Sequence, residues 1–545
     1  MTYTAVTFAP VQSFIRASRK LRDLYGSSLL LSHLARAVAV DAEAKGHAVI
    51  SPASISSSRG VPNVLVIKGN YRKDQARDAL LASWKKVLHV CRQWLEKAMP
   101  ETAFDWDSSW RACGLHTWEL FHGQGESIER AREALAVSKQ QRDWSAPNWT
   151  GESSTLSSAE AVVWPQMGAV RDPRELPPGQ VTQQARAFLE TLREHEDLGE
   201  AFAGMNEEIS LTELVKRLVT YPAVAGRAFA TEHDPTPALK DLLPDRFREL
   251  SLISKERETE REKQSESIVW FMADGDGIGD HLQSLKEQGE EEALRSFSKA
   301  MRDWASRLYG SVPAVMQQQA MVVYAGGDDL FGALHETTPG AKDLSTKQLW
   351  DWLRQFPAIW RECGQDNLTV SMGLVWADAM VHQREALQHA REAEASAKAL
   401  GKNRFALRLL YANGNHLEWS CPWPWLEPIL SRYRDREGRQ KWRHLAEDLQ
   451  WLKGRQAIAQ SRGNCRSDAQ ATARALWSAY FPGLELPPEP PGNPPGDGGT
   501  ARFRATAHQP EKDRVFDQWL LNLGQVMAGL EKHQPRRAEQ QGAQP

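Results

Sequence analysis

Short apolar runs alternate with longer amphipathic stretches between about residues 268 and 410, which predicts a mixed α+β domain. The run 268–272 has the length and composition of a strand, and two later apolar runs flank a Gly-Gly-Asp-Asp segment as in a hairpin. The predicted elements are strand 268–273, helix 290–309, hairpin 320–334, helix 346–362, strand 368–376, helix 384–400 and strand 405–410. Their order begins β-α-β-β-α-β, which is the ferredoxin-like plan.

The first hundred residues show a similar order of elements. The predicted elements are strand 3–8, one long helix 11–45, strands 47–51 and 63–68, and helix 73–99. This order is again β-α-β-β-α, so we expect a second copy of the same fold. No acidic pair lies between its two middle strands, where the other copy has Gly-Gly-Asp-Asp.

Composition divides the chain further. The segment 144–178 is rich in Ser, Pro, Trp and Gly and predicts loop, whereas 180–265 has helical character and ends in a charged run. A Pro/Gly-rich linker interrupts the helical C-terminal part, and the last residues have little apolar content. The predicted regions are a degenerate copy 1–125, a loop-rich and helical middle 126–265, a catalytic copy 266–415, a helical domain 416–532 and a disordered tail 533–545.

Two adjacent carboxylates stand at the tip of the predicted hairpin. Gly326, Gly327, Asp328 and Asp329 separate its strands, and glycine readily supplies the positive φ of a tight turn. Paired carboxylates at a sheet edge can hold Mg²⁺ against nucleotide phosphates. Gly and Asp are also ordinary turn residues, so a solvated acidic turn is the competing interpretation.

A second acidic pair favours the catalytic interpretation. Asp274 and Asp276 end the strand that begins at residue 268, and carboxylates at a strand end and at a neighbouring hairpin tip can converge on the same ions. The segment could instead be a calcium loop, but an EF-hand requires Glu at its twelfth position. Counted from Asp274, that position is Leu285, so we discount the calcium loop.

Two lysines lie where helix 384–400 ends. Lys398 falls in its last turn, Gly401 suits a helix C-terminus, and Lys402 and Asn403 follow directly. Close to the acidic residues, these lysines could neutralise a triphosphate. Lysines at helix ends are more often only solvated or favoured by the helix dipole, and this alternative stays open.

Composition adds limits on function. The chain has 545 residues and a formal net charge of −3, so any nucleic-acid contact must come from local patches. No signal peptide and no run long enough to span a bilayer is evident, so we expect a cytoplasmic protein without a membrane partner. The five cysteines form no C-x-x-C pair, and we therefore expect no zinc site. They are Cys91, Cys113, Cys363, Cys421 and Cys465.

These residues resemble a known family. The segments Asp274-Gly-Asp276, Gly-Gly-Asp-Asp and A-K-x-x-G-K-N resemble the nucleotidyl cyclase and palm superfamily, which includes GGDEF diguanylate cyclases. The N-terminal segment Pro-Val-Gln-Ser-Phe-Ile to Arg-Asp-Leu-Tyr-Gly-Ser at 10–27 resembles the large cyclase-polymerase subunit of type III CRISPR–Cas complexes, particularly its Cmr (type III-B) branch. The segment Gly-Val-Pro-Asn at 60–63 fits the same branch, and the resemblance covers roughly residues 1–70 and 265–412.

The resemblance implies two palm domains and a reaction. Asp328 and Asp329 would be catalytic and, with Asp274 or Asp276, would hold two Mg²⁺ or Mn²⁺ ions; which of the two upstream aspartates is the ligand stays open. It implies ATP as substrate and cyclic oligoadenylate as product, formed when target RNA pairs with guide RNA. The implied nucleotide-binding residues are Gly326, Gly327, Lys398, Lys402 and Asn403, with Tyr25, Gly26 and Ser27 from the opposing palm.

The resemblance also implies partners, namely other Cmr-type subunits, guide RNA and target RNA. Arg16, Arg19, Lys20 and Arg22 are the candidates for RNA contact, although a solvated helix face is the alternative for each of them.

Many family members carry an HD-type nuclease domain before the Pro-Val-Gln segment. The chain given begins at that segment, so we expect no HD nuclease. A metal nuclease needs several His and Asp ligands, and we interpret the single His-Asp dipeptide, at 233–234, as a loop.

Three other functions stay open from sequence. They are a stand-alone diguanylate cyclase, an enzyme that transfers adenylate to another small acceptor, and a catalytically silent RNA-binding subunit. The second Asp in place of Glu and the N-terminal copy oppose the first, and the retained acidic residues oppose the last.

Overall fold

The computed structural model describes most of the chain. The described residues are 1–53, 60–141, 149, 151–170, 172–199, 202–231, 237, 243, 268–284, 290–316, 320–334, 345–361, 368–378, 381–458, 466–485 and 511–531. The His-Asp dipeptide at 233–234, the charged run 255–266, the linker 487–499 and the tail 533–545 lie outside them.

The chain forms two compact units. Unit 1 comprises Met1–Glu256, Leu282–Ala305 and Val323–Gly327, and unit 2 comprises Arg257–His281, Ser306–Val322 and Asp328–Pro545. Each unit is built from three separate segments of the chain. The division into five contiguous regions stays a prediction.

The first sheet belongs to unit 1. Its strands are β1 (Tyr3–Ala9), β2 (Ala48–Ser51), β3 (Leu65–Lys68) and β4 (Glu119–Gly125). They pair antiparallel in the order β2-β3-β1-β4. The first eight helices are α1 (Gln12–Arg16), α2 (Leu21–Ala44), α3 (Lys73–Ala98), α4 (Asp107–His116), α5 (Ile128–Gln140), α6 (Gln180–Glu194), α7 (Leu211–Leu218) and α8 (Pro222–Ala228).

Two features of unit 1 correct the sequence-based expectation. The single helix expected over 11–45 is wrong, because the chain breaks between α1 and α2, where the Asp23 carboxylate accepts hydrogen bonds from the N–H groups of Arg19 and Lys20. Strand β4 was not predicted. Gly123 and Gly125 weaken its strand pattern, yet they allow α5 to pack closely, since a Cβ at Gly123 would lie 2.1 Å from the Leu135 nitrogen.

The second sheet contains the six strands β5 (Ile268–Asp276), β6 (Ala320–Gly326), β7 (Asp329–Leu334), β8 (Thr369–Ala377), β9 (Arg404–Leu410) and β10 (His416–Pro422). Their order is β10-β9-β8-β5-β7-β6. Strand β5 pairs antiparallel with β7 and β8, β9 runs parallel to β8, and β10 is antiparallel to β9. The predicted hairpin and the strand-helix order around it are confirmed.

In the described ranges, the helices between these strands are α9 (Ile278–Ser284), α10 (Glu290–Val315), α11 (Thr346–Arg361) and α12 (Gln383–Ala399). Helix α12 buries Leu387, Ala390, Ala393 and Ala397. Gly373 on β8 allows this helix to approach, because a Cβ there would lie 2.3 Å from the Glu394 nitrogen. The close packing fixes the end of α12 beside the sheet.

Strand β10 and the helices after it complete unit 2. The helices are α13 (Trp423–Arg432), α14 (Trp442–Gly454), α15 (Arg466–Tyr480) and α16 (Glu511–Glu531). Strand β10 was expected to be part of a helical domain, but its residues extend the sheet instead. Trp519 of α16 donates its indole N–H to the Ser420 carbonyl at 2.7 Å, which attaches the last helix to β10.

The described part of the chain contains no helix that combines the length and the apolarity needed to cross a bilayer.

Candidate functional site

The hairpin tip is built by a two-residue turn. Strand β6 ends at Gly326 and β7 begins at Asp329, so Gly327 and Asp328 form the turn. Gly327 has φ +65°, the left-handed conformation that its sequence position predicts. Gly326 is needed for space, since a Cβ there would lie 2.5 Å from the Gly60 carbonyl oxygen.

The structure brings three carboxyl groups together at this tip. β5 lies beside β7 in the sheet, with Ala273 opposite Leu330, and Asp274 follows Ala273 directly. Burial, followed by the charge of Asp274, raises the pKa of Asp328. Burial also raises the pKa of Asp329, followed by the charges of Asp274 and Asp328. Asp329 keeps an exposed surface, so the charges of the neighbouring carboxylates act on it as well as burial. The charge of Asp274 thus disfavours the ionisation of both aspartates of the tip.

One lysine lies beside these carboxylates. Lys398, near the end of α12, hydrogen-bonds the Asp274 carboxylate and also lies 2.8 Å from a Glu394 carboxylate oxygen. Burial disfavours the charged ammonium, but its hydrogen bonds to the two carboxylates outweigh burial and raise the pKa of Lys398. Lys398 is thus a fixed cation beside the acidic residues.

Asp276 has a different environment from Asp274. It is 6% exposed, and its carboxylate accepts hydrogen bonds from Thr369, Ser371 and the backbone of Asn403. Its oxygens are therefore occupied by protein donors. Lys402 and Asn403 are exposed and lie in the turn that this carboxylate holds.

Asp274, Asp328 and Asp329 fit a divalent metal ion in donor chemistry. Carboxylate oxygens are the ligands that Mg²⁺ and Mn²⁺ prefer, and their mutual repulsion is the charge that such an ion would neutralise. In the described ranges, no group of three or more His, Cys, Asp or Glu side chains is placed so that it could hold a metal ion. Cys91, Cys113 and Cys421 are free and buried.

The N-terminal candidates for nucleotide binding lie in the interior of unit 1. Tyr25 is 2% exposed and Ser27 is fully buried, with its hydroxyl donated to the Asp23 carbonyl at 2.7 Å. Gly26 faces α7, where a Cβ would lie 2.0 Å from the Lys216 carbonyl oxygen. In this unit the three residues pack helices together, and their role in a nucleotide pocket stays a prediction.

The basic residues of the same region divide into two groups. Arg16 and Arg19 are exposed, whereas Arg22 is buried, with a guanidinium N–H donated to the Thr220 carbonyl at 3.0 Å and the Tyr221 ring 4.1 Å away. Burial is the main cause that lowers the pKa of Lys20 to about 8. RNA contact stays a prediction for all four, with Arg16 and Arg19 the better placed.

Sequence reasoning missed the residues that support the acidic groups. Thr369 and Ser371 alternate along β8, so both point to the face that holds Asp276, and Thr369 lies opposite Asp276 in the antiparallel register. Glu394 lies four residues before Lys398, a helical spacing that favours an ion pair. The Glu-Lys spacing is visible in sequence, whereas the hydroxyl pair requires the strand register.

Two family models match the chain. Residues 268–406 match the model described as Cas10/Cmr2, second palm domain, and residues 3–88 match CRISPR-associated protein Cmr2, N-terminal. No curated protein sequence matches the chain.

Solved structures that are similar to the chain have low sequence identity to it. A structure described as the type III-B Cmr-beta apo state by cryo-EM has TM-score 0.54 and 10% identity, and the match covers 96% of this chain and 82% of that chain. The crystal structure of Csm1 in T. onnurineus has TM-score 0.43 and 14% identity, with coverage of 96% and 69%. A Csm1–Csm4 cassette in complex with one ATP has TM-score 0.45 and 14% identity, with coverage of 97% and 70%.

Proposed function

Because the chain belongs to the Cas10/Cmr2 family of large subunits of type III CRISPR complexes, we propose that it converts ATP into cyclic oligoadenylate within a type III-B complex. Guide RNA, target RNA and other Cmr-type subunits are its proposed partners, and the cytoplasm is its proposed location. The observation that carries the proposal is the meeting of Asp274, Asp328 and Asp329 beside the Lys398 ammonium.

Each group has a proposed task. Asp274, Asp328 and Asp329 would hold two divalent ions. When bound, the ions would activate an attacking ribose hydroxyl and stabilise the leaving pyrophosphate. Lys398 and Lys402 would bind phosphate oxygens as point charges, which suit phosphate without demanding a fixed geometry. Asn403 and the glycines of the hairpin tip would border the nucleotide.

Both sheets are proposed to be palm domains of the ferredoxin-like type. The element order β-α-β-β-α-β around each sheet supports this assignment, as does the position of β1 and β5 at the centre of their sheets. The segment 52–64, between β2 and β3, contains no Asp or Glu in the sequence, so the first would be a degenerate copy that holds no metal ion.

The test is product analysis with the assembled complex. Complexes with guide RNA are incubated with ATP and Mg²⁺, with or without target RNA, and the products are identified by mass spectrometry. Cyclic oligoadenylate formed only with target RNA supports the proposal. Adenylate attached to another small acceptor would instead indicate an adenylate-transfer enzyme. Turnover of GTP alone would indicate a diguanylate cyclase, and normal target binding without any ATP turnover would indicate a structural subunit.

A further inference from the structure

Asp274 and Asp276 lie two positions apart on β5, yet only Asp274 faces the other acidic residues. We propose that Asp276 is a positioning residue: it fixes the turn that carries Lys402 and Asn403 toward the nucleotide phosphates and does not ligate a metal ion. The identity of the ligand rests on the proposed function, whereas the coupling between Asp276 and the turn rests on the contacts of unit 2.

The hydrogen bonds of Asp276 leave little room for an ion. One carboxylate oxygen accepts from the Ser371 hydroxyl at 2.8 Å. The other accepts from the Thr369 hydroxyl at 2.7 Å and from the Asn403 N–H at 2.9 Å. At 6% exposure, the carboxylate is satisfied by these three donors and is screened from solvent.

The turn that Asp276 holds has an uncommon backbone. Gly401, Lys402 and Asn403 have φ values of +119°, +61° and +49°, so three consecutive residues occupy positive φ. For Lys402 this conformation is unfavourable by itself, and it persists only where surrounding contacts fix it. Lys402 and Asn403 are nevertheless both exposed, which leaves their side chains available to a ligand.

The contacts that fix the turn converge on its backbone. The Lys402 N–H donates to the Ala397 carbonyl at 3.2 Å, and the Arg404 guanidinium donates to the Lys402 carbonyl at 3.0 Å. The Trp423 N–H donates to the Asn403 carbonyl at 3.2 Å. Asp276 supplies the acceptor for the remaining Asn403 N–H. Loss of the Asp276 carboxylate would leave this partly buried N–H without a partner.

The experiment compares Asp276→Ala and Asp276→Asn in the full-length chain, with Asp274→Asn as the matched control. An asparagine oxygen can still accept from Asn403 and Thr369, while its NH₂ group donates to Ser371. Asp276→Asn should therefore preserve the turn, whereas Asp276→Ala should release it. The readouts are Mn²⁺ binding, hydrogen exchange of the backbone amides at 400–405, and kcat and KM for ATP.

For Asp276→Ala we expect faster exchange at the Asn403 amide and an increase in KM of about tenfold, with kcat within about twofold of the parent chain. Asp276→Asn should stay close to the parent in every readout, and both variants should bind Mn²⁺ as the parent does. Only Asp274→Asn should weaken Mn²⁺ binding. In a double variant with Lys402→Ala, the effect of Asp276→Ala on KM should disappear, because both changes remove the same phosphate contact.

Two results would overturn the inference. One is a loss of Mn²⁺ binding in Asp276→Asn as large as in Asp274→Asn, which would make Asp276 a metal ligand. The other is unchanged exchange at Asn403 in Asp276→Ala. If Asp276→Ala does not fold, Thr369→Val removes one of the three donors and should speed the same exchange. If the parent chain does not turn over ATP, the proposed function fails, whereas exchange and Mn²⁺ binding still decide the role of Asp276.

Discussion

At the scale of single residues, the candidate site depends on charges that do not cancel. Burial and the charge of Asp274 raise the pKa of Asp328 and Asp329, and Lys398 offsets part of the negative charge through its hydrogen bond to Asp274. A tip of two turn residues contributes little to the core. We therefore expect changes at this tip to affect the chemistry much more than the fold.

The first prediction concerns the two aspartates of the tip. Asp328→Ala combined with Asp329→Ala should abolish ATP polymerisation, because the ions that would stabilise phosphoryl transfer lose two ligands. Melting temperature and assembly with RNA should stay the same. Asp303→Ala, at an exposed position of α10, serves as the control and should retain activity. Near-normal product from the double variant would refute the assigned site.

The second prediction concerns Lys398. In the absence of nucleotide, its ammonium and a divalent ion would compete for Asp274, so Lys398→Met should tighten Mn²⁺ binding. The side chains are about one-third exposed, and a partly exposed ion pair is worth about 1 kcal/mol, which corresponds to roughly fivefold in affinity.

The same variant should use ATP less well, because a phosphate-binding charge is lost. Calorimetric Mn²⁺ titration gives the first effect and steady-state kinetics the second, with the exposed Lys347→Met as control. Weaker Mn²⁺ binding by Lys398→Met would contradict the competition.

At the scale of elements, a buried ion pair joins helices α2 and α7. Arg217 donates to both carboxylate oxygens of Asp23, at 2.8 and 2.9 Å, and to Glu207 at 2.8 Å. Burial alone would raise the pKa of Asp23, but the charge and hydrogen bonds of Arg217 outweigh it and lower the pKa to about 2. The pair therefore links the chain break before α2 to the helices of the middle region.

The third prediction tests this pair. Arg217→Met should destabilise unit 1 by about 3–5 kcal/mol, because two buried carboxylates lose their partner. Arg130→Met removes an exposed pair with Glu133 and should cost at most about 1 kcal/mol. Denaturant unfolding of both variants measures the difference. Equal losses would show that burial of the Arg217 pair is irrelevant.

The pair also makes stability depend on pH. The pKa of Asp23 is lower in the folded chain than its ordinary value of 3.8, so the contribution is complete above about pH 4 and is lost as pH falls toward 2. By linkage, the lowered pKa of Asp23 contributes about 2 kcal/mol to the free energy of unfolding. Unfolding free energies measured at pH 6, 4 and 3 should therefore fall more steeply for the parent chain than for Arg217→Met.

Whether an element could be predicted depended on how local its determinants are. Hairpin 320–334 and helix 384–400 could be predicted because apolar spacing and Gly327 define them within a few residues. Strands β4 and β10 were missed, since glycines dilute the pattern of β4 and β10 lies in the region 416–532 that was expected to be helical. The hydrogen bonds that hold Asp276 could not be predicted, because Thr369 is 93 residues away in sequence and reaches the Asp276 carboxylate only through the strand register.

At the scale of the whole molecule, the compact units differ from contiguous segments of chain. Leu294 of α10 lies in a buried cluster with Ile50, Val66 and Ile128, all in unit 1. A fragment that ends at the predicted boundary, residue 265, would lack Leu294 and its contacts with this cluster.

The fourth prediction follows from that cluster. Leu294→Ala in the full chain should destabilise unit 1 by about 2–5 kcal/mol, because a cavity replaces a buried side chain. Lys299→Ala, exposed on the same helix, should change the unfolding free energy by less than about 0.5 kcal/mol. A fragment 1–265 should melt at a lower temperature than unit 1 of the full chain. A fragment as stable as the full chain would show that α10 is dispensable for unit 1.

The division of the chain between the units also has a consequence during synthesis. Unit 1 includes residues up to Gly327, although its first segment ends at Glu256, so about seventy residues must emerge from the ribosome before it can be completed. At bacterial or eukaryotic elongation rates this interval lasts roughly 4–14 s. Until Leu294 emerges, about forty residues after Glu256, the nascent sheet of β1 to β4 exposes the apolar surface that this side chain later covers. We expect the ribosome-bound chain to bind chaperones over that range of lengths.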